Sequence, residues 1–347
     1  MPDKQSEDSK IRAVDLDALG VLWPDVRGWS PRSTGWGTIN QTFFVGDESN
    51  KHILKLYGRG TNPTQLRYEH SILSGLRQAD LPFSVPSPLP SHSGETLLAV
   101  PGDEGVLASL SPLLNGETMR RGHPQHTHQA GAAMATLHQA LSNLSITPND
   151  AVLPPWGELA RVHPLIPDPF AIASDLGLAT DTAEALSDLI AEVAEAIVSL
   201  PISLPRQITH ADYLWPNLLF QDGMVSAVLD FEFATYDLRA FDLAGTLYHF
   251  GMLPWKEGVS WDMLEAFGRG YGEQLSLTND EIESLPLLLR WQRLGSLIYW
   301  TGLYHQRPTS HQSLVDAVKD NLLLEKWLIV HSQELVKRSH IWFGATF

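Results

Sequence analysis

A stretch of strand-like texture sits inside a long helical run, and no other feature of the chain limits its fold as tightly. From Ile208 to Phe233 short apolar segments flank a turn, Gln221-Asp222-Gly223, which is the pattern of a β-hairpin. On both sides the periodicity is helical. Ala130, Met134, Leu137 and Leu141 fall on one helical face, as do Leu186, Leu189, Val193, Ile197 and Leu200. Helical periodicity resumes after Asp242 and continues to the end. A hairpin lodged among helices excludes alternating βαβ units.

The first third reads differently. Strands are predicted at about Trp29–Thr34, Ile39–Val45 and His52–Tyr57, separated by a turn at Gly35-Trp36-Gly37 and another over Gly46–Asn50. A short helix could precede them over residues 11–26. Pro63 suits the first turn of a helix reaching about Gln78. Two further strand-like stretches, about Thr96–Val100 and Gly105–Leu110, follow before Ser111–Gly116 breaks the pattern. The expected fold class is α+β and two-lobed. Residues 1–110 form a small antiparallel-sheet lobe with one helix, and residues 111–347 form a larger helical lobe that contains the hairpin. A chain of 347 residues has the length for this, at roughly 100–200 residues per domain.

Composition removes several classes of function. The chain carries 24 Lys+Arg against 40 Asp+Glu, a formal net charge of −16. Nucleic acid and anionic membrane surfaces both need a basic face, so neither is an expected partner. With no cysteine, a disulfide scaffold, a Cys zinc site, an Fe–S cluster and a Cys nucleophile are excluded. The start, MPDKQSEDSK, is polar and has no apolar signal core, so a cytoplasmic location is expected. The most apolar stretch, residues 284–302, is interrupted by Arg290, Gln292 and Arg293 and reads as a core helix.

The hairpin segment also holds the chemistry. It contains His210-x-Asp212-x-x-x-x-Asn217 and, at the end of its second strand, Asp230-Phe231-Glu232. Phosphoryl transfer needs a group to orient the attacking hydroxyl and accept its proton, and oxygen ligands for Mg²⁺ on the nucleotide phosphates. The spacing assigns Asp212 the first role and Asn217 and Asp230 the second. Upstream, Lys55 lies in the third strand. Glu69, between Leu66 and Leu73, shares the apolar face of the following helix, where a carboxylate needs a cationic partner. A strand lysine paired to a helix glutamate is a way of holding nucleotide phosphates. The turn around Gly35 and Gly37 offers backbone N–H groups to phosphates, although two glycines fit a plain hairpin turn as well.

With these residues in place the chain resembles the aminoglycoside phosphotransferase and choline kinase superfamily, which shares the protein-kinase fold. The likeness rests on HADYLWPNLLF, VLDFEFA, FDLAGTL and AGAAMATLHQAL, and the order of elements holds over about residues 30–250. Within the superfamily, INQTFFV…KHILKLY and DFEFATYDLRAFDLA look most like the bacterial homoserine kinases. The resemblance implies ATP with Mg²⁺ as donor and a small-molecule hydroxyl as acceptor. It makes His210 a support of the catalytic loop and Asp242 a brace for it. Two positions depart from the pattern. Ala211 stands where family members often carry glycine, and Glu232 replaces the glycine of protein kinases.

The acceptor is read from chemistry. Homoserine or a similar amino alcohol has a carboxylate suited to a guanidinium and an ammonium suited to an acidic or aromatic face. Residues 284–304 supply Arg290 and Arg293 with Trp291, Tyr299, Trp300 and Tyr304, and Glu232 and Asp237 follow the metal aspartate. Such aromatics are also common core residues. An aminoglycoside or choline-like kinase is the alternative, and a catalytically weak kinase-like binding module is the rival from another class. His123, His126 and His128 read as a solvated loop, and His138 as a packed helix residue.

Overall fold

Alternation along two strands sets the core of the N-terminal part. The computed structural model describes residues 15–35, 40–48, 51–58, 61–147, 153, 158–252, 258–306 and 310–344. The chain separates into two compact units, one up to Asn115 and one from Gly116 onward. In the first, strands β1 (Arg32–Ser33), β2 (Gln41–Val45), β3 (His52–Tyr57), β4 (Leu98–Val100) and β5 (Asp103–Pro112) form one antiparallel sheet in the order β1-β2-β3-β5-β4. Leu54 and Leu56 of β3 and Val106, Ala108 and Leu110 of β5 alternate onto one face. There they pack with Leu19 from a 3-10 turn over Ala18–Leu22 and with Trp23, which ends that turn. Lys55 therefore points to the other face, opposite Ser109 on β5.

The first strand is shorter than the sequence suggests. Pro31 has no amide hydrogen to give the ladder. Trp29 is turned aside, donating its indole N–H to the Leu16 carbonyl at 2.8 Å. Helix α1 (Pro63–Gln78) has the predicted bounds. The Asn62 side chain caps it by accepting from the Thr64 N–H at 2.9 Å, and Pro63 occupies the first turn.

The second unit is built on helices. Strand β6 (Glu117–Thr118) leads into α2 (Pro124–Ser142), and after the short α3 (Ile172–Asp175) and α4 (Thr180–Ile197) the chain enters its strand segment. β7 (Arg206–Thr209) pairs with β10 (Thr235–Leu238), and β8 (Leu218–Gln221) pairs with β9 (Met224–Val228) and β6. Asp222 and Gly223 join β8 to β9 with φ of 53° and 79°, the left-handed pair that a two-residue hairpin turn requires. α5 (Arg239–Leu247) runs into a π-helical turn over Tyr248–Met252, followed by α6 (Trp261–Gly272), α7 (Asn279–Gln306) and α8 (His311–Phe343). Residues 284–302 lie within α7, and no described helix is long and apolar enough to cross a membrane. α2 and α6 approach closely because Gly131 faces the Phe267 carbonyl and Gly270 faces the His128 carbonyl, leaving no room for a Cβ at either.

Candidate active site

The loop between β7 and β8 carries Asp212, and neighbouring elements hold it from several sides. Asp242, in the first turn of α5, accepts from the His210 N–H at 2.8 Å and from the Ala211 N–H at 3.0 Å. Those two bonds require the turn at Ala211, whose φ is +62°. A glycine would enter that region without steric cost. Asp242 also faces His138 Nε2 at 3.2 Å, and His138 Nδ1 lies 2.9 Å from the Tyr271 hydroxyl. His138 is thus a buried support, as its helix position suggested. Further along the loop, the Tyr213 hydroxyl donates to the Ala130 carbonyl at 2.9 Å.

His210 ties the loop to the far end of the hairpin. Its Nδ1 accepts from the Asp212 N–H at 3.2 Å, so Nε2 carries the proton and donates to the Leu229 carbonyl at 2.9 Å. Burial holds its pKa below the usual histidine value, in keeping with a neutral ring. Leu229 also donates its N–H to the Asn217 carbonyl at 2.8 Å. These two contacts bring Asp230, the next residue, back beside the loop, with φ of +64°. Asn217 donates its Nδ2 to the Asp212 backbone carbonyl and to Asp212 Oδ2, both at 2.9 Å. The side-chain oxygen of Asn217 remains as its acceptor atom.

The resulting cluster is acidic. Burial, and then the charge of Asp230, push the Asp212 carboxyl up to about 8; Glu232 and Asp242 add to the rise, and the Asn217 hydrogen bond opposes it. Crowded carboxylates with an amide oxygen suit a hard divalent cation. Among the described residues no group of three or more His, Cys, Asp or Glu could hold a metal.

Asp212 opens on a cavity of about 240 Å³ within the second unit. Asp237, Phe233 and Asp242 line one part of it. Gln292, Arg293, Ser296, Tyr299 and Trp300 line another, forming a single stripe of α7. Of the aromatics picked out in the sequence, Tyr299 and Trp300 reach the cavity. Trp291 is in the core, edge-on to Phe241 with ring centres 5.3 Å apart. Arg290 pairs with Glu325 at 2.6 Å and does not line the cavity. His249 and Gln292 line it and were not singled out from the sequence. His249 sits in the π-helical turn, which no periodicity announces. Gln292 is on the same stripe as Tyr299, which a helical projection would have shown. The histidines at 123, 126 and 128 lie elsewhere: His123 caps α2, His126 stacks on Phe220 and His128 meets Glu273.

In the first unit, Glu69 is only 5% exposed on α1. Lys55 lies near that helix, since its charge adds to burial in lowering the pKa of His70 to about 4. Gly35 has φ of +71° and open space around its Cα, and Gly37 falls outside the described residues.

The fold and the sequence both have known counterparts. The Phosphotransferase enzyme family matches residues 32–281. A homoserine kinase of Sinorhizobium medicae (strain WSM419) is 29% identical over 314 residues, covering 89% of this chain and 88% of that protein. Among solved structures, the amicoumacin kinase hAmiN, in complex with AMP-PNP, Ca²⁺ and Ami, superposes with a TM-score of 0.69 at 18% identity over 90% of this chain and 92% of its own. A microcompartment-associated aminopropanol kinase gives 0.65 at 18% identity over 92% and 98%. Their shared architecture is the protein-kinase-like fold, with its antiparallel sheet and mostly helical remainder. With a family match over well more than half its length, the chain belongs to the phosphotransferase enzyme family and is a small-molecule kinase.

Proposed function

We propose that the protein transfers the γ-phosphoryl group of ATP, in a Mg²⁺-dependent reaction, to the hydroxyl of homoserine or a similar amino alcohol. The observation that carries this reading is the position of Asp212, which faces the cavity and is gripped by Asn217 Nδ2 at 2.9 Å. A hydroxyl entering from the cavity meets the Asp212 carboxylate first. As that oxygen attacks the γ-phosphorus, its proton passes to Asp212. The bond to the bridging oxygen breaks, and its electrons leave with ADP. Asn217 orients the carboxylate through the same hydrogen bond. Asn217 and Asp230 are the residues that would hold Mg²⁺, which supplies charge neutralisation on the phosphates when bound. Lys55 and Glu69 serve the nucleotide phosphates, together with the backbone at Gly35. The homoserine kinase relatives support the choice of acceptor.

The test is ATP consumption by the full chain over a panel of homoserine, carboxylate-free amino alcohols, choline, aminoglycosides and sugars, with and without Mg²⁺. Homoserine should be phosphorylated only with Mg²⁺. Asp212→Asn should lower kcat by about 10²–10⁴ while nucleotide affinity stays close to wild type. Turnover of aminoglycosides but not homoserine would replace the acceptor and leave the kinase. No Mg²⁺-dependent turnover of any alcohol would sink the reading.

A further inference from the structure

One cation lines the cavity beside Asp212, and it has no anion of its own. Arg293 is 9% exposed, and among the described residues its guanidinium forms no ion pair and its Nε no hydrogen bond. It is held in place by stacking, with its guanidinium carbon 4.2 Å from the centre of the Tyr248 ring. Around it, His249 is kept uncharged by burial and by the charge of Arg293 itself, its pKa lowered to about 3. Asp320 on α8 feels Arg293 at longer range but lies outside ion-pair distance. A buried arginine without a partner costs stability, and an anion delivered to it removes that cost.

The preceding residue completes the set. Gln292 Oε1 is also buried without a hydrogen-bond partner. Gln292 has its room because Gly245 lacks a side chain; a Cβ there would come 2.8 Å from Gln292 Nε2. Two adjacent helix residues therefore line one cavity, one with a guanidinium that has no anion and the other with an amide oxygen that has no donor. An α-amino acid carries a carboxylate and an ammonium on adjacent atoms. A cavity of about 240 Å³ falls below the range of about 300–1,000 Å³ typical of pockets for drug-sized ligands, and so favours a short molecule.

We infer that Arg293 and Gln292 form a head-group site that selects hydroxylated α-amino acids, the guanidinium taking the carboxylate in a forked pair and Gln292 Oε1 accepting from the ammonium, with the side-chain hydroxyl pointing to Asp212. This rests on the kinase reading above and names its substrate class. It also states why an alcohol without a carboxylate is a poor acceptor here: it leaves Arg293 buried and unpaired.

Three small alcohols separate the parts: homoserine, 3-amino-1-propanol (no carboxylate) and 4-hydroxybutyrate (no ammonium). Binding is measured by calorimetry without nucleotide and turnover by steady-state kinetics, for the wild type, Arg293→Gln and Arg293→Lys, each with its melting curve. In Arg293→Gln the Kd and KM for homoserine should rise about 100-fold, with kcat and the KM for ATP changed little and 3-amino-1-propanol changed by less than about 3-fold. Arg293→Lys keeps the charge, loses the fork and should fall between them. If Arg293→Gln weakens homoserine and 3-amino-1-propanol equally, or if the wild type handles both equally well, Arg293 does not select a carboxylate and the inference fails while the kinase stands. If homoserine binds in an Arg293-dependent way but is never phosphorylated, the head-group site stands and the kinase reading fails.

Discussion

Replacing Asp212 by Asn should stabilise the ligand-free protein while removing the carboxylate proposed above to receive the proton. In the folded state the Asp212 carboxyl titrates at about 8, against 3.8 as its ordinary value. The fold therefore favours the neutral acid, and the charged form is a burden. That burden is absent below pH 3.8, grows as pH rises, and levels off above about 8. At pH 7 the relevant interval is about three pH units, which at 1.36 kcal/mol per unit is about 4 kcal/mol. The carboxyl group faces an open cavity, and water there lowers the penalty, so about 2 kcal/mol should be recovered by the neutral amide. Asn still offers an oxygen to Asn217 Nδ2, so the local hydrogen bond is kept. For a unit of this size, 2 kcal/mol corresponds to a rise of about 4–8 °C in its melting transition. The assay compares melting of the two ligand-free proteins at pH 5, 6, 7 and 8. The gap should widen steadily with pH, and Mg²⁺ with nucleotide should narrow it by stabilising the wild type. A variant less stable than wild type at pH 8, or a gap that does not change with pH, would refute the electrostatic account of this site.

Other outcomes follow from single contacts. Arg239 grips the fully buried Glu281 through two bonds of 2.9 and 2.6 Å, so Arg239→Ala should cost about 3–5 kcal/mol by leaving a buried charge, and Arg239→Leu with Glu281→Leu should regain most of it in denaturant titrations. Gly270→Ala should destabilise by about 1–3 kcal/mol, because its methyl would press on the His128 carbonyl and separate α2 from α6. Ala211→Gly should raise stability by up to about 1 kcal/mol, since relief of the left-handed φ outweighs the added freedom of the unfolded chain; a loss of stability on urea unfolding would show that Ala211 is not strained.

What the sequence made legible follows physical range. The hairpin, helix α1 and strand β3 were readable because each is written in local pattern: an Asp-Gly turn, a Pro after a capping Asn, an alternation of Leu54 and Leu56. Glu69 was readable as buried because helical phase alone places it on the apolar face. The cavity was not readable in full, because it is assembled from β10, α5, a π-helical turn and α7, which only tertiary packing brings together. Arg290 and Arg293 differ by three positions and look alike in sequence. One meets Glu325 and the other stacks on Tyr248, a distinction made by α8 and the π turn. His249 had no signal at all, since a π turn follows neither a 3.6 nor a 2.0 period.

Strain and like charge are concentrated in two neighbouring connections, the one between β7 and β8 and the one between β9 and β10. Ala211 and Asp230 are two of the three non-glycine residues with positive φ among those described, and the third, Asp222, is in the hairpin turn, where that conformation is ordinary. Each costs on the order of 1–2 kcal/mol, and both flank an acid that burial already disfavours as an anion. Such a turn survives only if its surroundings leave no alternative. Asp242 provides that by taking two consecutive N–H groups, and His210 provides it by bridging Asp212 to Leu229. The frame is polar, buried and paired, so it resists the relaxation that would let Asp212 turn away from Asp230. Like charges held this close remain unfavourable, and the hydrogen bonds of Asp242 and His210 keep them from moving apart.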